Sequence, residues 1–134
     1  MSHTVQCIPT TEHVALLVNG VTVAETRRPL KVVETNHPVR YYFPEADVDK
    51  RYLIATATQT HCPYKGDAGY YTLVVNGDYY VDAAWSYDNP IADVPELKGT
   101  IAFWPEKDER IQLVGWGYGA MSYNRLHGSA PLPP

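Results

Sequence analysis

The sequence predicts a mainly β, antiparallel, single-domain protein, and three observations carry that expectation. Asn-Gly pairs stand between β-branched runs twice, at Asn19-Gly20 and Asn76-Gly77. A two-residue type I′ hairpin turn needs positive φ at both central positions, which Asn and Gly accept. Elsewhere Val, Thr and Tyr recur in short alternating runs while helical periodicity is scarce, the pattern of half-buried pleated strands. A length of 134 residues fits one domain and buries enough surface for a core that needs no disulfide or metal staple.

Taken in order, Val14–Val18 and Val21–Ala24 form the first hairpin. Leu30–Glu34 and Val39–Phe43 read as strands separated by the chain-breaking Asn36-His37-Pro38, and Arg51–Thr58 as another. The second hairpin pairs Tyr70–Val75 with Asp78–Trp85. Thr100–Trp104 and Ile111–Trp116 follow, joined by the charged stretch Glu106–Arg110. At most one or two short helical turns are expected, one after Pro44 and one over Val94–Lys98 with Gly99 as its stop. The domain is expected to span 14–116, after an N-terminal segment, 1–13, and before a Gly- and Pro-rich tail, 117–134, that frays.

Composition narrows the class of partner. Net charge is −4, and no basic stripe breaks the mixed-sign surface, which argues against nucleic acid and anionic membrane. Cys7 and Cys62 make no disulfide framework, no basic-then-apolar leader is visible in the first residues, and no apolar run reaches membrane length. A cytoplasmic protein is expected. Eleven Tyr against two Phe and three Trp suit strand surfaces and pocket walls, since Tyr joins apolar area to a polar tip.

Register turns the second hairpin into geometry. A two-residue loop at Asn76-Gly77 sets Tyr71 opposite Asp82 and Tyr70 opposite Ala83. Alternation then places Tyr70, Thr72, Val74, Tyr79, Val81, Ala83 and Trp85 on one face, expected to be core. Tyr71, Leu73, Tyr80, Asp82 and Ala84 lie on the other, where a carboxylate among aromatic rings reads as a pocket wall.

Candidate chemistry gathers around that wall. Asp82 is either a general base with a raised pKa or an acid hydrogen-bonded to a Tyr hydroxyl. Lys65, in the loop entering the hairpin, binds an anionic group, pairs with Asp82, or snorkels to solvent. Cys62 is either a thiolate nucleophile or a small buried residue at a strand end. Glu34 and Arg40 flank the Asn36-His37-Pro38 bend and are placed to pair across strands. Tyr41, Tyr70, Tyr71, Trp85 and Tyr87 are candidate ligand contacts or core. His61 and Cys62 are neighbours that a strand points to opposite faces, so no metal site is expected, and no cofactor.

Longer phrases carry a resemblance. Arg40-Tyr41-Tyr42-Phe43-Pro44 with Asp47-Val48, the run Thr60-His61-Cys62-Pro63-Tyr64-Lys65-Gly66-Asp67-Ala68-Gly69-Tyr70, and Asp82-Ala83-Ala84-Trp85-Ser86-Tyr87-Asp88-Asn89-Pro90 resemble the family catalogued as domain of unknown function 427, over roughly Val14 to Val114. The resemblance implies a β-tent-like fold, two small antiparallel sheets meeting over a cleft. Relatives by fold often carry zinc between two Cys-x-x-Cys knuckles, which are missing from this sequence. The family also bears a nucleotidyltransferase label. That chemistry needs a phosphate cradle and Mg²⁺-holding carboxylates, whereas Lys65–Gly69 is a short glycine turn, and Asp47 and Asp49 belong to a solvated turn after Pro44.

These readings converge on a cofactor-independent small-molecule enzyme using acid–base chemistry (isomerase, cyclase or hydrolase type) in an aromatic-lined cleft. A non-catalytic module for a small ligand or peptide is the alternative, and a protein-interaction domain a third reading. Open β edges are compatible with a homodimer.

Overall fold

Asn19 (φ 49°) and Gly20 (φ 82°) both adopt the left-handed conformation, as do Asn76 (φ 51°) and Gly77 (φ 82°). Each Asn-Gly pair therefore closes a tight hairpin in this computed structural model, which describes residues 2–116 and 121–122. The strands are β1 (Val5–Pro9), β2 (His13–Val18), β3 (Val21–Thr26), β4 (Leu30–Glu34), β5 (Arg40–Pro44), β6 (Leu53–Cys62), β7 (Gly66–Val75), β8 (Asp78–Ser86), β9 (Thr100–Phe103), β10 (Ile111–Trp116) and β11 (Met121–Ser122). All pairings are antiparallel, and they make two sheets: β1-β4-β5-β9-β8-β7-β6 and β11-β10-β2-β3. The fold is mainly β, as expected.

Among the described residues, helix is confined to short 3-10 turns. Two fall where the sequence places them, Glu45–Asp47 and Pro95–Leu97, with Gly99 in the left-handed conformation after the second. Lys50–Tyr52 and Pro105–Lys107 add two that were not expected. Asp49 caps the first of these by accepting from the Arg51 backbone N–H, and Pro105 starts the other at a position where a missing N–H costs nothing. Among the described residues no helix is long and apolar enough to cross a membrane.

The middle of the larger sheet is buried on both faces, while its edge strands β1 and β6 are largely exposed. One face packs on the smaller sheet: Leu16 and Val18 of β2 and Ile111 of β10 meet Phe43, Leu73, Tyr80, Ile101 and Phe103. Phe43 and Phe103 stand edge to face there, 5.5 Å apart, the arrangement ring quadrupoles favour. The opposite face holds a second cluster of Val32, Tyr42, Tyr70, Trp85 and Ala102, covered by Tyr87, Val94 and Leu97 from the segment after β8. Strand β5 contributes to both, with Tyr41 and Phe43 on the first face and Tyr42 on the second. The two sheets thus enclose a packed core rather than an open cleft.

Three expectations need correction. The N-terminal segment is not outside the sheet, because β1 pairs residue by residue with β4, Val5 opposite Glu34 and Pro9 opposite Leu30. Strand β7 also begins earlier than the sequence suggests, at Gly66, so the presumed glycine turn is largely strand.

The third correction is the hairpin register. Pairing follows the expected frame from the turn to Leu73 opposite Tyr80, then shifts, so that Tyr71 faces Ala84 and Tyr70 faces Trp85. A β-bulge causes this: Asp82 takes φ 52°, a conformation that Asp and Asn tolerate better than most residues. The shift keeps Tyr71, Leu73, Tyr80 and Ala84 on a common face, but that face is the inter-sheet core and not a pocket wall. Of the face expected to be core, Tyr79 and Val81 at the hairpin tip are exposed. The tail expectation lies outside the described residues, apart from Met121 and Ser122, which pair with Gly115 and Val114.

Candidate functional site

The second core, on the face away from the smaller sheet, contains the least expected chemistry. Glu34 ends β4 and is buried, as is Lys65 in the turn between β6 and β7. Lys65 Nζ donates to Glu34 Oε1, joining regions near opposite edges of the seven-stranded sheet. Local backbone geometry makes this reach possible. Lys65 N–H bonds to the Cys62 carbonyl at 3.2 Å and the Lys65 carbonyl accepts from Ile91 N–H at 3.0 Å. Gly66 follows at φ +122°, so close to the next segment that a Cβ would sit 3.1 Å from the Asn89 carbonyl oxygen. Glycine is required there on both counts.

The other oxygen of Glu34 faces the N-terminal segment. His3 Nε2 donates to Glu34 Oε2 at 2.7 Å, and His37 Nδ1 stands 3.7 Å from the same oxygen while bonded to the Thr35 carbonyl at 2.8 Å. His3 stacks on the half-exposed Tyr64 ring at 3.8 Å. Burial pushes the Glu34 pKa up, but the Lys65 hydrogen bond and charge, with His3 and His37, more than offset it and hold the carboxyl below its ordinary value. Glu34 is therefore ionised at neutral pH.

A cavity of about 10 Å³ adjoins the pair, bounded by Val32, Arg40, Tyr42 and Trp85. Space of that size holds about one water molecule. Trp85 Nε1 donates to Tyr42 Oη at 3.0 Å, and the Arg40 guanidinium lies 5.4 Å from the Trp85 ring centre. Lys65 lies 5.8 Å from the centre of the Tyr87 ring. Burial raises the phenol pKa of both Tyr42 and Tyr87, so neither is a base. Tyr87 Oη and Arg40 Nη2 are buried with no hydrogen-bond partner among the described residues.

Several sequence-selected residues are thereby brought together: Glu34, Lys65 and Arg40 border one cavity, with Trp85 at its wall, and Tyr70, Tyr87 and Cys62 belong to the same apolar cluster. The pairings differ from those expected. Glu34 pairs with Lys65 and not with Arg40, which instead bonds Glu106 Oε1 at 2.6 Å. Lys65 does not pair with Asp82. Cys62 is the last residue of β6 and is buried. The other cysteine, Cys7, has its thiol pushed up to about 11, chiefly by burial, with Glu96 adding to it.

Asp82 lies elsewhere. Its carboxylate accepts from the Thr56 and Thr58 hydroxyls, each at 2.7 Å, and its N–H donates to Thr72 Oγ1. Among the described residues no Tyr hydroxyl bonds it, and the acid fastens the β8 bulge to the irregular middle of β6. Tyr41 and Tyr71 belong to the inter-sheet core. His61 bonds Asp67 at 2.6 Å on the surface, and no group of three or more His, Cys, Asp or Glu stands at metal-binding distance among the described residues.

Sequence reasoning missed His3, His37 and Tyr64 as a group. His37 was visible only as part of a bend, and His3 preceded every recognisable element; pairing of β1 with β4 is what carries it to Glu34.

Fold and site together define a two-sheet antiparallel β domain with a buried lysine–glutamate pair flanked by His3 and His37. Against models of known families, residues 6–114 match the domain of unknown function DUF427. The chain belongs to that family, and the match takes in most of β1 as well as the stretch from Val14 onward. No curated protein matches the chain.

Proposed function

We propose that the protein is a small-molecule enzyme working by acid–base chemistry, with His3 as the proton-transfer group, Glu34 as its orienting carboxylate and Lys65 as the charge that keeps Glu34 ionised. The observation that carries this reading is the buried Glu34 carboxylate bonded at once to Lys65 and to a partly open imidazole. An ionised acceptor on Nε2 makes that nitrogen the protonated one and leaves the Nδ1 lone pair to take a proton. Once His3 has taken the proton, both its ring nitrogens donate, one of them to Glu34. His37, 6.1 Å away ring to ring, is spaced to serve as the partner that returns a proton to another atom of the substrate, as isomerisation or cyclisation requires.

The test is to incubate pure protein with a metabolite pool, identify by mass spectrometry what is consumed, and repeat with His3→Gln. Loss of turnover by roughly 10²–10⁴-fold, the usual contribution of a positioned proton-transfer group, supports the assignment; undiminished turnover overturns it. The cavity volume of about 10 Å³ favours a second reading, a binding module that holds its ligand at the surface across His3 and Tyr64. A ligand that binds saturably and is recovered unchanged, with no turnover found, selects that reading.

A further inference from the structure

At residues separate from the Glu34 site, the end of β3 and the turn after β5 border a wide-open cleft of about 530 Å³, a volume within the range of small-ligand sites. We propose that this cleft is a binding site for a small molecule bearing an oxyanion, a carboxylate or a phosphate, held by Arg27 and Arg28.

The cleft is built, not incidental. Strand β3 is tied to the 45–49 turn through the Ala24–Val48 bridge and through Asp49 N–H to the Val23 carbonyl at 2.8 Å. At the strand end, buried Thr26 donates its hydroxyl to Asp47 Oδ2 at 2.7 Å and accepts from Arg28 N–H at 3.0 Å, turning the chain so that Arg27 and Arg28 border the opening. His13 forms another wall, fixed by Glu25 at 2.6 Å and by stacking on Trp116 at 4.0 Å.

The free guanidinium groups point to the ligand's sign. Each carboxylate in the cleft is held to the protein through one oxygen: Glu25 Oε2 takes His13, and Asp47 Oδ2 takes Thr26 together with Arg28 Nε at 3.3 Å. Arg27 has no hydrogen-bond or ion-pair partner among the described residues, and the contact to Asp47 uses only Nε of Arg28, leaving its two terminal nitrogens. A guanidinium fork matches a carboxylate or phosphate in two parallel hydrogen bonds, so the donors left open on Arg27 and Arg28 suit an oxyanion. The His13–Trp116 stack supplies an aromatic edge beside it for the apolar part of such a molecule.

NMR titration of the full chain with inorganic phosphate and, separately, with benzoate tests this, following the Arg27 and Arg28 side-chain N–H signals and the His13 ring, with sodium chloride at matched ionic strength as reference. The expected result is saturable shifts with one or both anions, weakened about tenfold or more in Arg27→Gln and in Arg28→Gln and unchanged in His3→Gln. Stronger response to phosphate or to benzoate tells which oxyanion the cleft prefers. Shifts that chloride reproduces, no saturable shift with either anion, or binding retained in both arginine variants each overturn the proposal. Both arginines are exposed at the strand end, so their variants are expected to fold.

Discussion

Lys65 and Glu34 form a salt bridge that ties the β6–β7 turn to the end of β4, with only 3% and 4% of their side-chain surfaces open to solvent. Two charges removed from water to this degree cost several kcal/mol each in desolvation, and their attraction and added hydrogen bonds roughly repay it. The asymmetry lies in removing one partner. Lys65→Met leaves a buried carboxylate and Glu34→Gln a buried ammonium, and each is expected to lower stability by about 3–5 kcal/mol in urea unfolding, whereas Glu34→Leu/Lys65→Met together recover most of that loss. Single variants within 1 kcal/mol of the parent, an order-of-magnitude threshold set by exposed pairs, would mean that the pair is solvated.

The same carboxylate predicts a pH dependence. Lys65 and the two histidines hold Glu34 below its ordinary value of 4.5 in the folded state despite its burial. The unfolded chain therefore binds the proton first as pH falls, and stability contributed by the ionised form is lost from near 4.5 downward through the lowered folded value. The difference in unfolding free energy between parent and Glu34→Gln is expected to shrink as pH falls below about 4.5. A difference independent of pH down to acid denaturation contradicts the lowered pKa.

Glycine positions separate turn strain from steric approach. At Gly77, with φ +82° and open space around a built Cβ, Gly77→Val carries only the conformational penalty of about 1–2 kcal/mol. Gly66→Ala adds to a positive φ a contact of 3.1 Å with the Asn89 carbonyl, and shifts the residue that follows Lys65. Melting temperature should drop in both, and only Gly66→Ala should also alter whatever activity or ligand binding the Glu34 site supports. An unchanged melting temperature for Gly77→Val would place the turn elsewhere.

These positions also mark what could be read from the sequence. Asn-Gly turns are local devices whose φ requirements are written in two residues, so both hairpins, and Leu30–Glu34 and Ile111–Trp116 to the residue, were legible. Glu34, Lys65 and Arg40 were legible as candidates because charged residues within aromatic runs are conspicuous. Their pairings were not, since Lys65 meets Glu34 through sheet curvature and a chain separation of 31 residues. His3 lies equally far from Glu34 in sequence. The bulge at Asp82 was hidden for a different reason: strict alternation assumes an unbroken ladder, and one residue at positive φ breaks it without any Gly or Pro to announce it.

Asp82 supplies the most direct contrast with the Glu34 site. Its carboxylate holds the Thr56 and Thr58 hydroxyls and its backbone takes φ 52°, both duties that asparagine can perform: the amide oxygen accepts one hydroxyl hydrogen bond, the amide N–H₂ donates to the other oxygen, and Asn visits the left-handed region readily. Asp82→Asn is therefore expected to keep the melting temperature within a few degrees and to leave turnover or ligand affinity at the Glu34 site unchanged. Asp82→Ala loses both side-chain bonds and is expected to cost about 1–3 kcal/mol, because the bulge is no longer fastened to β6. His3→Gln should show the opposite pattern, little change in stability with a large loss of turnover, since His3 is partly open and its role is proton transfer. Measuring melting temperature and turnover on the three variants decides between the sites. If Asp82→Asn reduces turnover by about 10²-fold or more at an unchanged melting temperature, while His3→Gln remains active, the bulge carboxylate is the base and the Glu34–Lys65 pair is a structural clasp.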